Sequence, residues 1–61
     1  WPRDQVHQAA IVAEEAGELV RASLNHHYEK GPQRNMVTEA VHTAAVALRF
    51  LSNIEVDDVE V

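Results

Sequence analysis

A single helix-breaking pair, Gly31-Pro32, divides this sequence into two stretches in which apolar residues recur every three or four positions. That period places side chains on one face of an α-helix. Two helices joined by such a short break pack as antiparallel neighbours. We therefore predict an all-α fold, an antiparallel helical hairpin over residues 1–53, followed by an acidic tail over residues 54–61 without visible periodicity.

The ends of both helices carry sequence signals. Asp4 can cap the first helix, because its carboxylate accepts hydrogen bonds from the free backbone N–H groups at a helix start. Gly31 can adopt the left-handed conformation that ends a helix, and Pro32 cannot continue one. The second helix is expected to begin either with Pro32 as its first residue or with Asn35 as its cap.

Each helix carries two apolar sets rather than one. The first apolar set consists of Val6, Ala9, Ala10, Ala13, Ala16, Gly17, Val20 and Leu24, with Val37, Ala40, Val41, Ala44, Ala45, Leu48 and Leu51 on the second helix. The second apolar set consists of Ile11, Val12 and Leu19, with Val46, Ala47 and Phe50. A helix that is apolar over most of its circumference is buried on more than one side, which two helices cannot achieve for each other. We therefore predict a homo-dimer or homo-tetramer that completes a four-helix bundle by oligomerisation.

Size and charge narrow the range of functions. A chain of 61 residues without cysteine has a small core and no disulfide, so partner subunits or a metal must add stability. With only five Lys and Arg and a net charge of −5, the chain lacks the clustered cations that bind a nucleic acid polymer. No apolar run approaches the roughly 20 residues that span a bilayer. We therefore expect a cytoplasmic protein with no nucleic acid polymer and no membrane among its partners.

Acidic residues interrupt the apolar pattern at two places. Glu14, Glu15 and Glu18 lie in a stretch otherwise lined by Ala, Val and Leu. Glu39 and His42 interrupt the second helix in the same way. Residues three or four apart share a helix face, and like charges at this spacing repel each other. Such a cluster is costly unless a cation neutralises it or some of its groups stay protonated.

The hairpin can bring these two acidic groups together. They align if the hairpin is centred at about residue 28. The Gly31-Pro32 break follows only about two to three residues later, an offset on the order of 4 Å along the helix axis. Carboxylate oxygens suit Mg²⁺ or Mn²⁺, so a site shared by both helices is expected. Gly17, which is costly inside a helix, indicates a close backbone approach nearby. The alternative is a solvated face, since the stripe that contains Glu18 continues through Arg21 and Asn25.

These motifs resemble those of the MazG-like, all-α nucleoside triphosphate pyrophosphohydrolases, a family that includes dimeric dUTPases and dCTP pyrophosphatases. That family carries E-E-x-x-E on one helix and E-x-x-D on the next. Here the first motif reads Glu14-Glu15-Ala16-Gly17-Glu18, and the second reads Glu39-Ala40-Val41-His42 before an Ala-rich run. The resemblance covers residues 5–52 and includes the spacing between the motifs.

The resemblance implies a metal-dependent hydrolase that converts a (deoxy)nucleoside triphosphate to a nucleoside monophosphate and pyrophosphate, in nucleotide-pool house-cleaning. It implies that Mg²⁺ is held by Glu15, Glu18 and Glu39, with the fourth ligand position falling on His42. It further implies that Glu14 or Glu15 accepts a proton from the attacking water.

One position of the second motif departs from the family pattern. His42 stands where the family most often has Asp, and an imidazole nitrogen is softer than the oxygen that Mg²⁺ prefers. Three outcomes follow: a site that favours Mn²⁺, a site with one protein ligand fewer, or a binding-only relic. Cationic help for the substrate phosphates is expected from Lys30, Arg34 or Arg49.

Two other functions stay open at the level of sequence. Glu39-x-x-His42 is also the ligand pair of ferritin-like di-iron proteins, and a two-helix chain can form such a site across a dimer. Alternatively, the chain is a non-catalytic MazG-like helical interaction module, a reading favoured by His42 and by the short length.

Overall fold

A computed structural model describes residues 1–54 of the protein, which contain two α-helices and no strand. Helix α1 spans Gln5–Glu29 and helix α2 spans Gln33–Ser52. The two helices pack against each other as a hairpin, which confirms the predicted all-helical architecture. Neither helix combines the length and the apolar character that crossing a membrane requires. The predicted tail over residues 54–61 lies, except for Ile54, outside the described residues.

Helix α1 begins where the capping signal predicts. The Asp4 carboxylate accepts a hydrogen bond from the Val6 backbone N–H at 2.9 Å, which satisfies one of the donors that a helix start leaves free. The residues before the cap are held against the helix by Gln8, whose Nε2 donates to the Pro2 carbonyl at 2.7 Å. Gln8 is buried by this arrangement, with 5% of its surface exposed.

The turn between the helices differs from the prediction in its left-handed residue. Lys30 has φ 59° and ψ 28°, and no glycine among residues 1–54 has a positive φ. Helix α1 ends at Glu29, so Lys30 rather than Gly31 occupies the left-handed position. The backbone N–H groups of Lys30 and Gly31 both donate to the Asn25 carbonyl. Gly31 contributes in another way, because a Cβ at that position would overlap the Asn25 side chain and displace it.

Helix α2 begins at Gln33, between the two predicted starting points. Pro32 is the residue before the helix, and Asn35 lies inside the first turn, where its backbone N–H donates to the Pro32 carbonyl at 3.2 Å. No side chain caps this end of the helix. At the other end, Asn53 Nδ2 donates to the Arg49 carbonyl at 2.7 Å, close to where the periodic pattern stops.

The two apolar sets take different positions in the hairpin. The second apolar set is half-buried where the helices pack, at Ile11, Val12, Leu19, Val46, Ala47 and Phe50. Most of the first apolar set is exposed, and no apolar side chain among residues 1–54 is fully buried. Leu48 and Val6, for example, are 66% and 77% exposed. The hairpin by itself therefore leaves apolar surface in water on both helices.

Candidate metal centre

The two acidic groups of the sequence meet in the hairpin. Glu15, Glu39 and His42 each offer a ligand atom within 4.8 Å of those of the other two. Glu15 belongs to α1, whereas Glu39 and His42 lie one turn apart on α2. The three side chains therefore come together only because the helices pack. The offset expected from the position of the Gly31-Pro32 break does not keep them apart.

His42 contacts both carboxylates of this group. Its Nδ1 lies 3.6 Å from Glu39 Oε2 and 4.0 Å from Glu15 Oε2. Both distances exceed those of a good hydrogen bond, so these contacts do not satisfy the oxygens. The Glu15 and Glu39 side chains are each 24% exposed, whereas His42 is 56% exposed. The imidazole thus lies at the rim of the group, with the carboxylates deeper between the helices.

The same two carboxylate oxygens lack a hydrogen-bond donor. Glu15 Oε2 and Glu39 Oε2 are buried atoms, and neither accepts a hydrogen bond within residues 1–54. A buried carboxylate oxygen without a donor has lost its hydration without compensation. A divalent cation held by Glu15 and Glu39 would supply that compensation. The donor set therefore fits a hard cation such as Mg²⁺, and the His42 nitrogen makes it fit Mn²⁺ as well.

Glu18 extends the acidic group along α1. The pKa of its carboxyl is raised above the ordinary value of 4.5, chiefly because the Glu15 charge lies nearby. The nearby Glu39 carboxyl raises it further, and Glu14 contributes least. Both Glu14 and Glu18 are exposed. The carboxyl groups of Glu15, Glu18 and Glu39 thus lie close together, whereas Glu14 lies at the margin of this group.

The cations predicted to assist phosphate binding are spread over the hairpin. The Arg49 guanidinium carbon lies 4.6 Å from the centroid of the Trp1 ring, a cation–π contact. Arg49 is also about 15 Å along α2 from Glu39 at the normal helical rise. Lys30 follows α1 in the turn, and Arg34 lies in the first turn of α2. These residues do not form a single cationic cluster at the acidic group.

An open groove adjoins the acidic group on the side of the turn. It has a volume of about 540 Å³ and is lined by Glu18, Arg21, Ala22, Asn25, Asn35 and Glu39. The sequence assigned no role to Arg21 and Asn25 beyond a solvated stripe. The signal that could have identified them was that the stripe continues directly from Glu18. The sequence predicts Asn35 only as a helix cap, and nothing in its local sequence points to a groove.

Comparison of the chain with protein-family models, curated proteins and solved structures gave no match. The resemblance to the MazG-like pyrophosphohydrolases therefore stays a prediction based on the residues of the two motifs. A function for the protein has to be argued from those motifs together with the geometry around Glu15, Glu39 and His42.

Proposed function

We propose that this protein is a divalent-metal-dependent hydrolase that converts a nucleoside triphosphate to a nucleoside monophosphate and pyrophosphate. The observation that carries the proposal is the pair of buried oxygens without donors, Glu15 Oε2 and Glu39 Oε2. They converge with His42 from two different helices, so a cation would bind where the hairpin brings negative charge together. The substrate class comes from the resemblance of the two motifs.

The residues that would hold the cation are Glu15 and Glu39, with Glu18 beside them and His42 at the rim. When bound, Mg²⁺ or Mn²⁺ would neutralise charge on the triphosphate and make a coordinated water more acidic. By fixing the position of the divalent cation that binds the triphosphate, the carboxylates would also orient the triphosphate. Their half-buried position between the helices limits competition from bulk water.

The proposed reaction adds one water molecule to the triphosphate. The water oxygen forms a bond to the α-phosphorus, and the bond from that phosphorus to the oxygen that bridges to the β-phosphate breaks. Pyrophosphate leaves with that oxygen. The proton lost by the water passes to a carboxylate oxygen of Glu14 or Glu15. Glu14 is exposed and forms no ion pair within residues 1–54, so it can take the proton while Glu15 holds the cation.

We further propose that a second copy of the chain completes the core. The exposed apolar residues form two heptad stripes, Val6, Ala10, Ala13, Gly17, Val20 and Leu24 on α1, and Val37, Val41, Ala44, Leu48 and Leu51 on α2. Alternating steps of four and three form the seam along which helices pack in bundles. A Cβ at Gly17 would meet nothing within 4 Å, so the close approach expected there is not made inside the hairpin. A helix of a second copy would make it.

The experiment for the hydrolase is a screen for pyrophosphate release. Canonical nucleoside and deoxynucleoside triphosphates are incubated with the wild-type protein and Mg²⁺ or Mn²⁺, beside the Glu15→Gln and Glu39→Gln variants. The matched control is Glu29→Gln, which removes one carboxylate elsewhere on α1 and keeps an acceptor for Asn25. We expect release with the wild type and the control, and a loss of roughly 100-fold or more in the other two variants. Absence of release from every triphosphate with either metal would exclude the proposal.

One observation favours a second candidate, a ferritin-like di-iron protein. Glu15 on one helix and Glu39-x-x-His42 on the other form half of the ligand set of such proteins, and two copies of the hairpin would supply the whole set. An iron-dependent absorbance change with oxygen or peroxide, without pyrophosphate release, would favour this candidate. A non-catalytic interaction module predicts neither reaction and no Mg²⁺-dependent nucleotide binding in calorimetry.

A further inference from the structure

One cationic side chain, Arg21, lines the groove beside the acidic group. Arg21 is exposed on α1, and neither of the contacts between oppositely charged residue types within residues 1–54 involves it, because both join His42 to a glutamate. Arg21 therefore has no carboxylate partner in that part of the chain, although Glu18 and Glu39 line the same groove. A guanidinium in this state keeps its N–H donors available for another anion, and its planar fork matches phosphate oxygens.

Two amides complete the lining of the groove. Asn25 donates one amide hydrogen to Glu29 Oε2 at 2.9 Å and is confined on another side by Gly31, where a Cβ would overlap it. Asn35 lines the groove from α2 and lies opposite α1 residues of the same lining. Amide N–H groups donate to phosphate oxygens without changing the charge of the site.

The charge of the groove decides which anions it can accept. Glu18 and Glu39 contribute two carboxyl groups at one edge, and Arg21 contributes a single guanidinium. A free anion is repelled by that edge. An anion that carries a divalent cation would be repelled less, because the cation could face the carboxylates while the phosphate oxygens face Arg21. The groove is therefore suited to a complex of metal and polyphosphate rather than to either component alone.

We propose that this groove binds the phosphate chain of the metal-complexed substrate, with Arg21 donating to its phosphate oxygens. This inference rests on the proposed function, because a cation held by Glu15 and Glu39 would anchor one end of the ligand. It assigns to Arg21 the contribution that the sequence predicted for Lys30, Arg34 or Arg49. The amides of Asn25 and Asn35 line the path of the chain away from the metal.

The test is isothermal titration calorimetry with inorganic pyrophosphate in the presence of Mn²⁺. The proteins compared are the wild type, Arg21→Gln and the matched control Arg3→Gln, which makes the same change at an exposed position outside the groove. We expect Arg21→Gln to weaken pyrophosphate binding roughly 10- to 100-fold, the range for loss of a charge-assisted hydrogen bond. Arg21→Lys should give an intermediate loss, because it keeps the charge but not the fork.

A second titration with Mn²⁺ alone separates this inference from the proposed function. Arg21→Gln should bind Mn²⁺ at least as tightly as the wild type, since a nearby positive charge has been removed. Far-UV circular dichroism checks that the variants are equally helical. If Arg21→Gln binds pyrophosphate like the wild type, or if Arg3→Gln weakens binding equally, the role of Arg21 is overturned and the metal site stands. If the wild type binds no Mn²⁺, both the inference and the metal-dependent function are overturned.

Discussion

The heptad stripe on α2 should hold two copies of the chain together, and Leu48→Asp should separate them. Leu48 is 66% exposed in the hairpin. Complete burial of a leucine side chain contributes about 1.5–3 kcal/mol, so burial of the exposed part contributes about 1–2 kcal/mol in each copy. In a two-fold symmetric dimer the substitution acts twice, which weakens association by about 2–4 kcal/mol. The dissociation constant should therefore rise roughly 30- to 700-fold, and more if the new carboxylate is buried.

Sedimentation velocity over a series of protein concentrations measures this effect. The wild type should sediment as a dimer or tetramer, whereas Leu48→Asp should sediment at 6.8 kDa over a much wider concentration range. Thr38→Asp is the matched control, because it places the same charge at an exposed position of α2 outside the stripe. The variant and the control should have the same helical content when the variant is assayed at concentrations where it associates.

Two results would refute this reasoning. One is a wild-type protein that sediments as a 6.8 kDa monomer at every concentration, which would mean that the stripes are not an interface between copies. The other is a Leu48→Asp variant that associates as strongly as Thr38→Asp, which would place the interface elsewhere on the hairpin.

Three further predictions concern the site and the turn. Because the folded state raises the Glu18 pKa, the metal-free protein should lose stability as the pH rises from 4.5 through that pKa. Glu18→Gln should flatten this pH dependence in thermal denaturation. Equal pH dependence in both proteins would contradict the raised pKa of Glu18. Gly31→Ala should lower the free energy of unfolding by about 1 kcal/mol or more, because the methyl group displaces Asn25. Lys30→Gly should raise the free energy of unfolding by roughly 0.5–1 kcal/mol, because glycine adopts φ 59° without strain. Urea denaturation measures both changes, and the same sign for both would refute this account of the turn. His42→Asp should shift metal preference from Mn²⁺ towards Mg²⁺ in calorimetry, and an unchanged preference would remove His42 from the site.

The helices could be predicted from the sequence because their signals are local. The Asp4 cap and the Gly31-Pro32 break act on the backbone within a few residues, and both mark helix ends in the structure. The left-handed residue could not be identified in this way. It is decided by the Asn25 carbonyl, which accepts from two N–H groups, and by the space that the Asn25 side chain occupies.

Which apolar set lies between the helices could not be read from periodicity. Both sets repeat with the helical period, so the sequence defines two faces on each helix without saying which face meets the partner helix. The structure selects the set with the larger side chains Ile11, Leu19 and Phe50 and leaves the more alanine-rich set exposed. Which face is packed depends on the fit between the two helices, and the periodicity of one helix carries no information about that fit.

The candidate site, too, could be predicted from the sequence only in part. The proximity of Glu15 to Glu39 and His42 could be predicted, because it follows from the rise per residue and the position of the break. The groove could not be predicted, because its lining comes from both helices and depends on how they pack. Glu18 and Arg21 are three residues apart, a spacing at which ion pairs commonly form, yet no pair forms between them here.

The most direct test of the central claim is a titration of the metal-free protein with Mn²⁺, followed by electron paramagnetic resonance and calorimetry. The wild type and Glu29→Gln should bind Mn²⁺ saturably, and Glu15→Gln and Glu39→Gln should each lose roughly tenfold or more in affinity, because each removes one of the two buried carboxylate oxygens that lack donors. Equal Mn²⁺ affinity in all four proteins would show that the carboxylates between the helices do not hold a metal, and would contradict the account.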